Sequence, residues 1–373
     1  MTSAAVAVVG AGIVGASVAY ALARSGARVL VLEAGTPGGG TSGTSFAWLN
    51  SVRKEPEVYH RLNAGGMAAY RELAHELGED FGYHGGGSLE WAESAVDERE
   101  LRERVERLAS RGYAAEWISR DRALELEPHL DIPASVTDVV FYARDGWLDA
   151  PRVVRRLLDA AISRGADVRT AMPVRSLRTR GDRVESIEIA SGDVVVASIV
   201  VCVGPATAGF LAPLDVTIPV GRVPGVLAVT SRPPAPLGRV VHAPGIHLRP
   251  DASGGLLLGA TDVDRLVEGQ SPPASLVELA RPLLERAARV FRPARDVRLV
   301  EARVGVRPMP VDGHTIAGRI PASTNAWVVA THSGVTLGAL LGRLIADEVL
   351  GKPASVELTP FRPDRFGGPS SPR

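Results

Sequence analysis

The chain has 373 residues, with 42 basic and 42 acidic side chains, so it has no charge surplus for a nucleic-acid surface or a polybasic membrane patch. Apolar residues make up 45% and charged residues 23%, the balance of a globular protein with length enough for two domains. A single cysteine excludes an intrachain disulfide and suits a reducing cytoplasm; no charged stretch precedes the first apolar run, as a secretory signal would need, and no apolar run reaches the ~18 residues of a membrane span.

Residues 6–15, Val-Ala-Val-Val-Gly-Ala-Gly-Ile-Val-Gly, read as strand, tight turn and helix. Gly10, Gly12 and Gly15 form the pattern G-x-G-x-x-G, and Ala11, Ile13 and Val14 complete the turn. The first glycine permits the turn, the second lets backbone approach a pyrophosphate, and the third lets helix pack on strand. A helix over 16–25 then offers free N–H groups and a positive dipole end to phosphates. A second strand over 28–33 ends in Glu33, 18 residues after Gly15. A carboxylate there accepts both hydroxyls of a ribose and repels a 2′-phosphate. The alternative is a glycine-rich turn that binds nothing.

Ala34 opens a long loop of small residues carrying Thr41, Ser42, Thr44 and Ser45. Its composition alone suits a surface loop; its position, leaving the strand that carries Glu33, suits a ligand loop. Phe46, Ala47, Trp48 and Asn50 follow, apolar enough to face an interior cavity.

Helical spacing then predicts a helix over 56–77 ended by Gly78, strands within 81–91 around three glycines, and a charged helix over 96–111 with an apolar stripe at Leu101, Val105 and Leu108. A short capped helix over 119–127 stops at Pro128, and Asp149 caps a helix over 151–164. Strands are expected over 167–170, 174–179, 183–189 and 194–203, the last apolar enough to be buried on both faces. It contains Cys202, read as core packing, and ends at the turn Gly204. Strands over 216–230, 239–249 and 256–261 suggest an antiparallel sheet. A helix over 275–291, strands over 297–306 and 327–330, and a helix over 334–350 complete the chain. The Pro/Gly/Ser-rich end is expected to be disordered.

The fold class expected is α/β, a Rossmann-like domain interleaved with an α+β domain built on an antiparallel sheet. The dinucleotide-binding domain takes 1–80, 145–215 and 300–365; the substrate domain takes 81–144 and 216–299; 366–373 is a flexible tail. The ligand site then lies between the two domains.

The glycines, Glu33, the small-residue loop and a C-terminal pattern together resemble the flavin-dependent amine oxidoreductases of the D-amino-acid oxidase superfamily. That pattern is Gly305-Val-Arg-Pro308, Asp312-Gly313 and His332-Ser-Gly-Val-Thr-Leu337. Within the superfamily the likeness is to the glycine oxidase, sarcosine oxidase and D-amino-acid dehydrogenase branch. It covers nearly the full length and is most specific over 8–45 and 305–338. It implies FAD as the cofactor. Neither a cysteine near the G-x-R-P segment nor a histidine after the glycine-rich loop is present, so non-covalent FAD is expected.

By the same resemblance, Val174 holds the adenine through backbone, Thr41 and Ser42 the pyrophosphate region, and Phe46, Ala47 and Trp48 line the ring system. Arg307 matches an arginine that lies over the flavin and clamps a substrate carboxylate, which its planar fork of donors suits. Read from residues alone, the alternative is a pairing with a structural acid such as Asp312. His332, Ser333, Gly334, Val335, Thr336 and Leu337 lead into a helix whose N–H groups face the pyrimidine end. His332 is either a proton relay or a hydrogen bonder at the helix start. His247 falls where relatives carry a substrate-facing tyrosine, and Arg303 where many carry a tryptophan. The two imply a substrate more polar or more anionic than glycine, one that suits a second carboxylate, and Trp48 and Asn50 are further substrate-binding candidates. His247 also reads as a core histidine.

The resemblance implies hydride transfer from a substrate carbon to flavin, giving an imine, with O2 as acceptor. The alternatives are a dehydrogenase passing electrons to a quinone or carrier, an NAD-linked dehydrogenase, a flavin monooxygenase and a non-catalytic flavin binder. The partners expected are a small amine or amino-acid substrate and O2 or an electron carrier, with oligomer formation open.

Overall fold

The computed structural model describes residues 5–214, 216–268, 275–321, 323–353 and 355–367. Its first sheet is built around Ala5–Val9. That strand is flanked in parallel by Val29–Leu32 on one side and Gly192–Val201 on the other. Asp167–Arg169 extends the sheet beyond Val29–Leu32. The strand Gly192–Val201 does two jobs. Its first half pairs antiparallel with Arg183–Ile189, which pairs in turn with Ser176–Arg180. Its second half pairs in parallel with Ala5–Val9 and with Ala326–Ala330. The expectation of burial on both faces therefore holds only for the end of this strand. Ile199, Val200 and Val201 are fully buried, whereas Val195 is 70% exposed on the hairpin.

Three helices cover this sheet. Ile13–Arg24 packs between Ala150–Ile162 and Gly334–Val349. The approach to the last helix is close: a Cβ at Gly342 would strike the backbone and side chain of Ser17 at 2.6 Å. The two ends of the chain are thereby locked together. Glu57–Leu77 packs on the other side of the last helix.

The second sheet has the order Leu299–Pro310, Val220–Thr230, Leu256–Gly259, Ile246–Pro250, Val240–Ala243, Ser88–Glu90, Asp138–Tyr142, Ala115–Ser119. Its pairs are antiparallel apart from Val240–Ala243 against Ser88–Glu90. The helix Leu276–Val290 covers it through Ala280, Leu283 and Ala287. A small third sheet, Trp48–Leu49, Gly146–Leu148 and Tyr83–His84, lies between the long segments.

Several local readings carry over directly. Ser94, Ser119, Asp149 and Ser275 each accept an N–H from the first turn of the helix they precede, a cap worth about 1 kcal/mol. The charged helix Ala95–Ser110 buries only Leu101, Val105 and Leu108. Others change. The segment 239–249 is two strands turned at Pro244-Gly245, with Gly245 at φ 74°. Leu299–Pro310 belongs to the second sheet, paired with Val220–Thr230 through Pro310, which corrects the expected start of the dinucleotide-binding segment at 300. Phe366, expected in the tail, closes the turn Pro363–Phe366 and packs against the apolar layer of the first sheet; 368–373 lie outside the described residues. No helix among the described residues is long and apolar enough to cross a membrane.

Candidate active site

One cavity of about 690 Å³ runs from the C-terminal edge of the first sheet to the long strands of the second. At the first end lies the glycine turn. Gly10 has φ 94°, and a Cβ there would press on the Cys202 carbonyl; a Cβ at Gly15 would strike the Gly10 carbonyl. Gly10, Gly12, Ile13 and Val14 line the cavity, while Ala11 and Gly15 are packed behind it. The helix begins at Ile13, not at 16, because the turn itself supplies its first residues.

Glu33 stands beside this turn. Its Oε2 accepts from Ala11 N at 2.7 Å and its Oε1 from Gly35 N at 2.8 Å. Each oxygen keeps a lone pair for a further donor. Leu32, Ala34, Pro173, Val174, Gly204 and Phe210 line the same cavity.

The small-residue loop lines the middle. Ser42 Oγ accepts from Ile13 N at 2.9 Å, and Thr41 Oγ1 donates to the Val306 carbonyl at 2.5 Å. Thr44 donates to the Gly40 carbonyl, and Ser45 Oγ accepts from Ala47 N. The hydroxyls therefore tie the loop to the turn and to the strand Leu299–Pro310. Ala47 is held at φ 55°, an unusual value for a residue with a Cβ. Arg249, buried and pushed down to about 9 by desolvation, donates to the Phe46 carbonyl at 2.5 Å and lies over the Phe46 and Trp147 rings.

At the far end, Phe46, Trp48, Asn50, Lys54, His242, His247, Arg307 and His332 face the cavity. The Trp48 indole N–H donates to Asp145 at 2.9 Å, and its ring lies 4.0 Å from that of His242. Asp145, fully buried, also accepts from Ser88 Oγ at 2.8 Å and from the Tyr113 hydroxyl. Burial raises its pKa to about 7 against these three donors. Asn50 bonds within its own turn, accepting from Val52 N. His242 and His247 are cross-strand partners, Nδ1 to Nδ1 at 2.8 Å. Burial lowers both; His247 falls to about 4, so the pair is neutral near pH 7.

Arg307 does meet an acid, but it is Asp264 and not Asp312. Its Nη2 donates to Asp264 Oδ2 at 2.9 Å and to the Pro224 carbonyl at 2.7 Å. Gly225 leaves the room, since a Cβ there would sit 3.0 Å from Arg307 Nη2 and 3.1 Å from Asp264 Oδ1. Asp312 is taken by Arg365. Arg303, expected near a substrate, is not among the residues lining the cavity and stands 3.6 Å from Glu301.

The last helix, Gly334–Val349, has no side-chain cap, and Ser333, Gly334, Val335 and Thr336 line the cavity at its N-terminus. Leu337 points into the core. Burial, with Lys54 and Arg307 nearby, lowers His332 to about 4. His242, Lys54 and Asp264 do not stand out in the sequence. The Pro244-Gly245 turn is the signal that would put His242 opposite His247.

An elongated cavity with a glycine turn and ribose-type carboxylate at one end, and an uncapped helix N-terminus at the other, fits a flavin dinucleotide. Phosphates suit the first helix start, and the second suits a ring that gains negative charge on reduction.

Comparison with known proteins agrees. Residues 5–348 match the family described as DAO, FAD dependent oxidoreductase. The chain is 27% identical over 372 residues to a glycine oxidase of Geobacillus kaustophilus, covering 97% of each chain. It is 28% identical over 377 residues to one of the opine oxidase polypeptides of Agrobacterium tumefaciens, covering 96% of each. Among solved structures, iminodiacetate oxidase from Chelativorans sp. BNC1 superposes with a TM-score of 0.85 at 26% identity, over 98% of this chain and 100% of that one. The cofactor is therefore FAD, which sets aside the NAD-linked alternative. This chain belongs to the DAO family of FAD-dependent oxidoreductases.

Proposed function

We propose that the protein oxidises the C–N bond of a small amino acid or secondary amine that carries a carboxylate, with O2 as acceptor and FAD held non-covalently. The relatives named above are, by name, oxidases of glycine, an opine and iminodiacetate, all amines bearing carboxylates. FAD, when bound, supplies the two-electron acceptor for a hydride from the carbon next to nitrogen. The observation that carries the reading is Arg307. It lines the cavity beside the N-terminus of the last helix, and only its Nη2 is committed to protein partners. Its Nε is buried, and its Nη1 is left for a carboxylate.

His247 and Trp48 line the same cavity. The neutral imidazole can accept a hydrogen bond from the N–H of the free-base amine and so orient the lone pair that helps expel hydride. Phe46 and Trp48 exclude water from that step. The imine that results is cleaved by water to an amine and an oxo acid. The one cysteine, Cys202, lies beneath Gly10 with its thiol pushed up to about 12 by burial, remote in chemistry from any flavin attachment.

Arg307→Ala is expected to keep the yellow cofactor and lose ~100-fold or more in kcat/KM for such an amine, as loss of a charge-assisted clamp requires. Undiminished turnover would refute the clamp. Oxygen uptake during turnover separates an oxidase from a dehydrogenase that feeds a carrier.

A further inference from the structure

We propose that Lys54 is a second carboxylate anchor, so that the preferred substrate is an amine bearing two carboxylates, one held by Arg307 and one by Lys54. This rests on the reading of the site as one for a carboxylate-bearing amine. The charges around the cavity carry it. Two acids line it, Glu33 and Asp264. Glu33 is tied to Ala11 and Gly35 at the ribose end, and Asp264 to Arg307. Arg53, at the rim, shares Glu90 with Arg104, at 2.9 and 2.6 Å respectively.

Among the described residues, Lys54 is the lining cation that no ion pair joins to an acid. Its neighbours in sequence cannot neutralise it: Glu55 is held by Arg111 at 2.6 Å and Glu57 by Arg61 at 3.4 Å. No ion pair joins Lys54 to an acid among the described residues. Its Nζ lies 5.9 Å from the Tyr59 ring, and Lys54, Arg307 and His332 line the same cavity. Burial without a carboxylate lowers the ammonium to about 8. A half-buried cation with no counter-ion, facing a substrate cavity, is a site for an anion the protein does not supply. The second positive group expected from sequence, Arg303, lies off the cavity.

The matched ethers diglycolate and methoxyacetate test this. They mimic iminodiacetate and sarcosine, differ by one carboxylate, and cannot lose hydride to form an imine. Each is titrated into the FAD-loaded protein and followed by calorimetry and by the flavin absorption. Diglycolate is expected to bind about tenfold more tightly than methoxyacetate, as one charge-assisted contact supplies. Lys54→Gln should bring the two within about twofold, and Lys54→Arg should keep most of the preference. Equal binding of the two ethers by the native protein would overturn the anchor, as would an undiminished preference in a folded, yellow Lys54→Gln. Turnover of iminodiacetate and sarcosine separates the two readings. If neither amine is oxidised while the ether preference depends on Lys54, the anchor stands and the reaction falls. If sarcosine is oxidised with no dicarboxylate preference, the anchor falls and the reaction stands.

Discussion

At the Glu33 end of the cavity the polar groups are already bonded to one another. The carboxylate holds two backbone N–H groups, Ser42 holds the N–H of Ile13, and Thr41 holds the Val306 carbonyl. At the Lys54 end they are not. Arg307 gives one nitrogen to Asp264, the helix at Gly334 is uncapped, and Lys54 pairs with no acid among the described residues. The first end is a finished frame that admits one shape of ligand through backbone. The second keeps unspent charge, and its selectivity depends on which anion arrives. Damage to the first should remove the cofactor; damage to the second should change the substrate.

The largest effect is expected at the frame. Gly10→Ala puts a Cβ at φ 94° against the Cys202 carbonyl. The turn must move, and the purified protein should be colourless, with no flavin peak and no uptake of added FAD. A yellow Gly10→Ala protein would show that the turn tolerates more than its geometry allows.

A middle effect is expected where the far wall is braced. Asp145 holds Trp48, Ser88 and Tyr113. Asp145→Asn keeps one accepting oxygen and puts an NH2 donor against either the Tyr113 hydroxyl or the Trp48 and Ser88 donors. It should cost about 2–3 kcal/mol in urea unfolding, and loosen Trp48, seen as a change in tryptophan emission. Retained stability would mean that the carboxylate is dispensable and the wall is set by packing.

The smallest effect is one of pH. Lys54 is lowered to about 8 by burial, so its charge is present near neutrality and lost as pH rises through that value. His332, at about 4, is neutral across this range. The preference for diglycolate over methoxyacetate should therefore fade between about pH 7 and about pH 10. An anion bound beside Lys54 favours its charged form and moves the midpoint upward. A ratio that stays flat over this interval would locate the selectivity elsewhere.

The frame was legible because its contacts are local. Gly10, Gly12 and Gly15 are one turn, and Glu33 ends the next strand, so spacing along the chain translates into spacing in the fold. The helix caps and the apolar stripe of Ala95–Ser110 were legible for the same reason. The substrate end was legible only in part. Arg307 stood out through its motif, but its partner Asp264 lies 43 residues away on a different element. Reading 239–249 as one strand hid the His242–His247 pair, because pairing across a hairpin exists only once the turn is placed. Arg303 and Arg307 are both arginines of one strand, yet only the second lines the cavity.

From its own order of residues the chain determined the dinucleotide turn, the alternation of strands and helices, and the cofactor class, since each depends on neighbours within a few turns of backbone. Tertiary structure alone decided which charges in the cavity are neutralised and which are left over. An ion pair is a property of distance in space, and residues 54, 264, 307 and 332 reach the same end of the cavity from four separate segments.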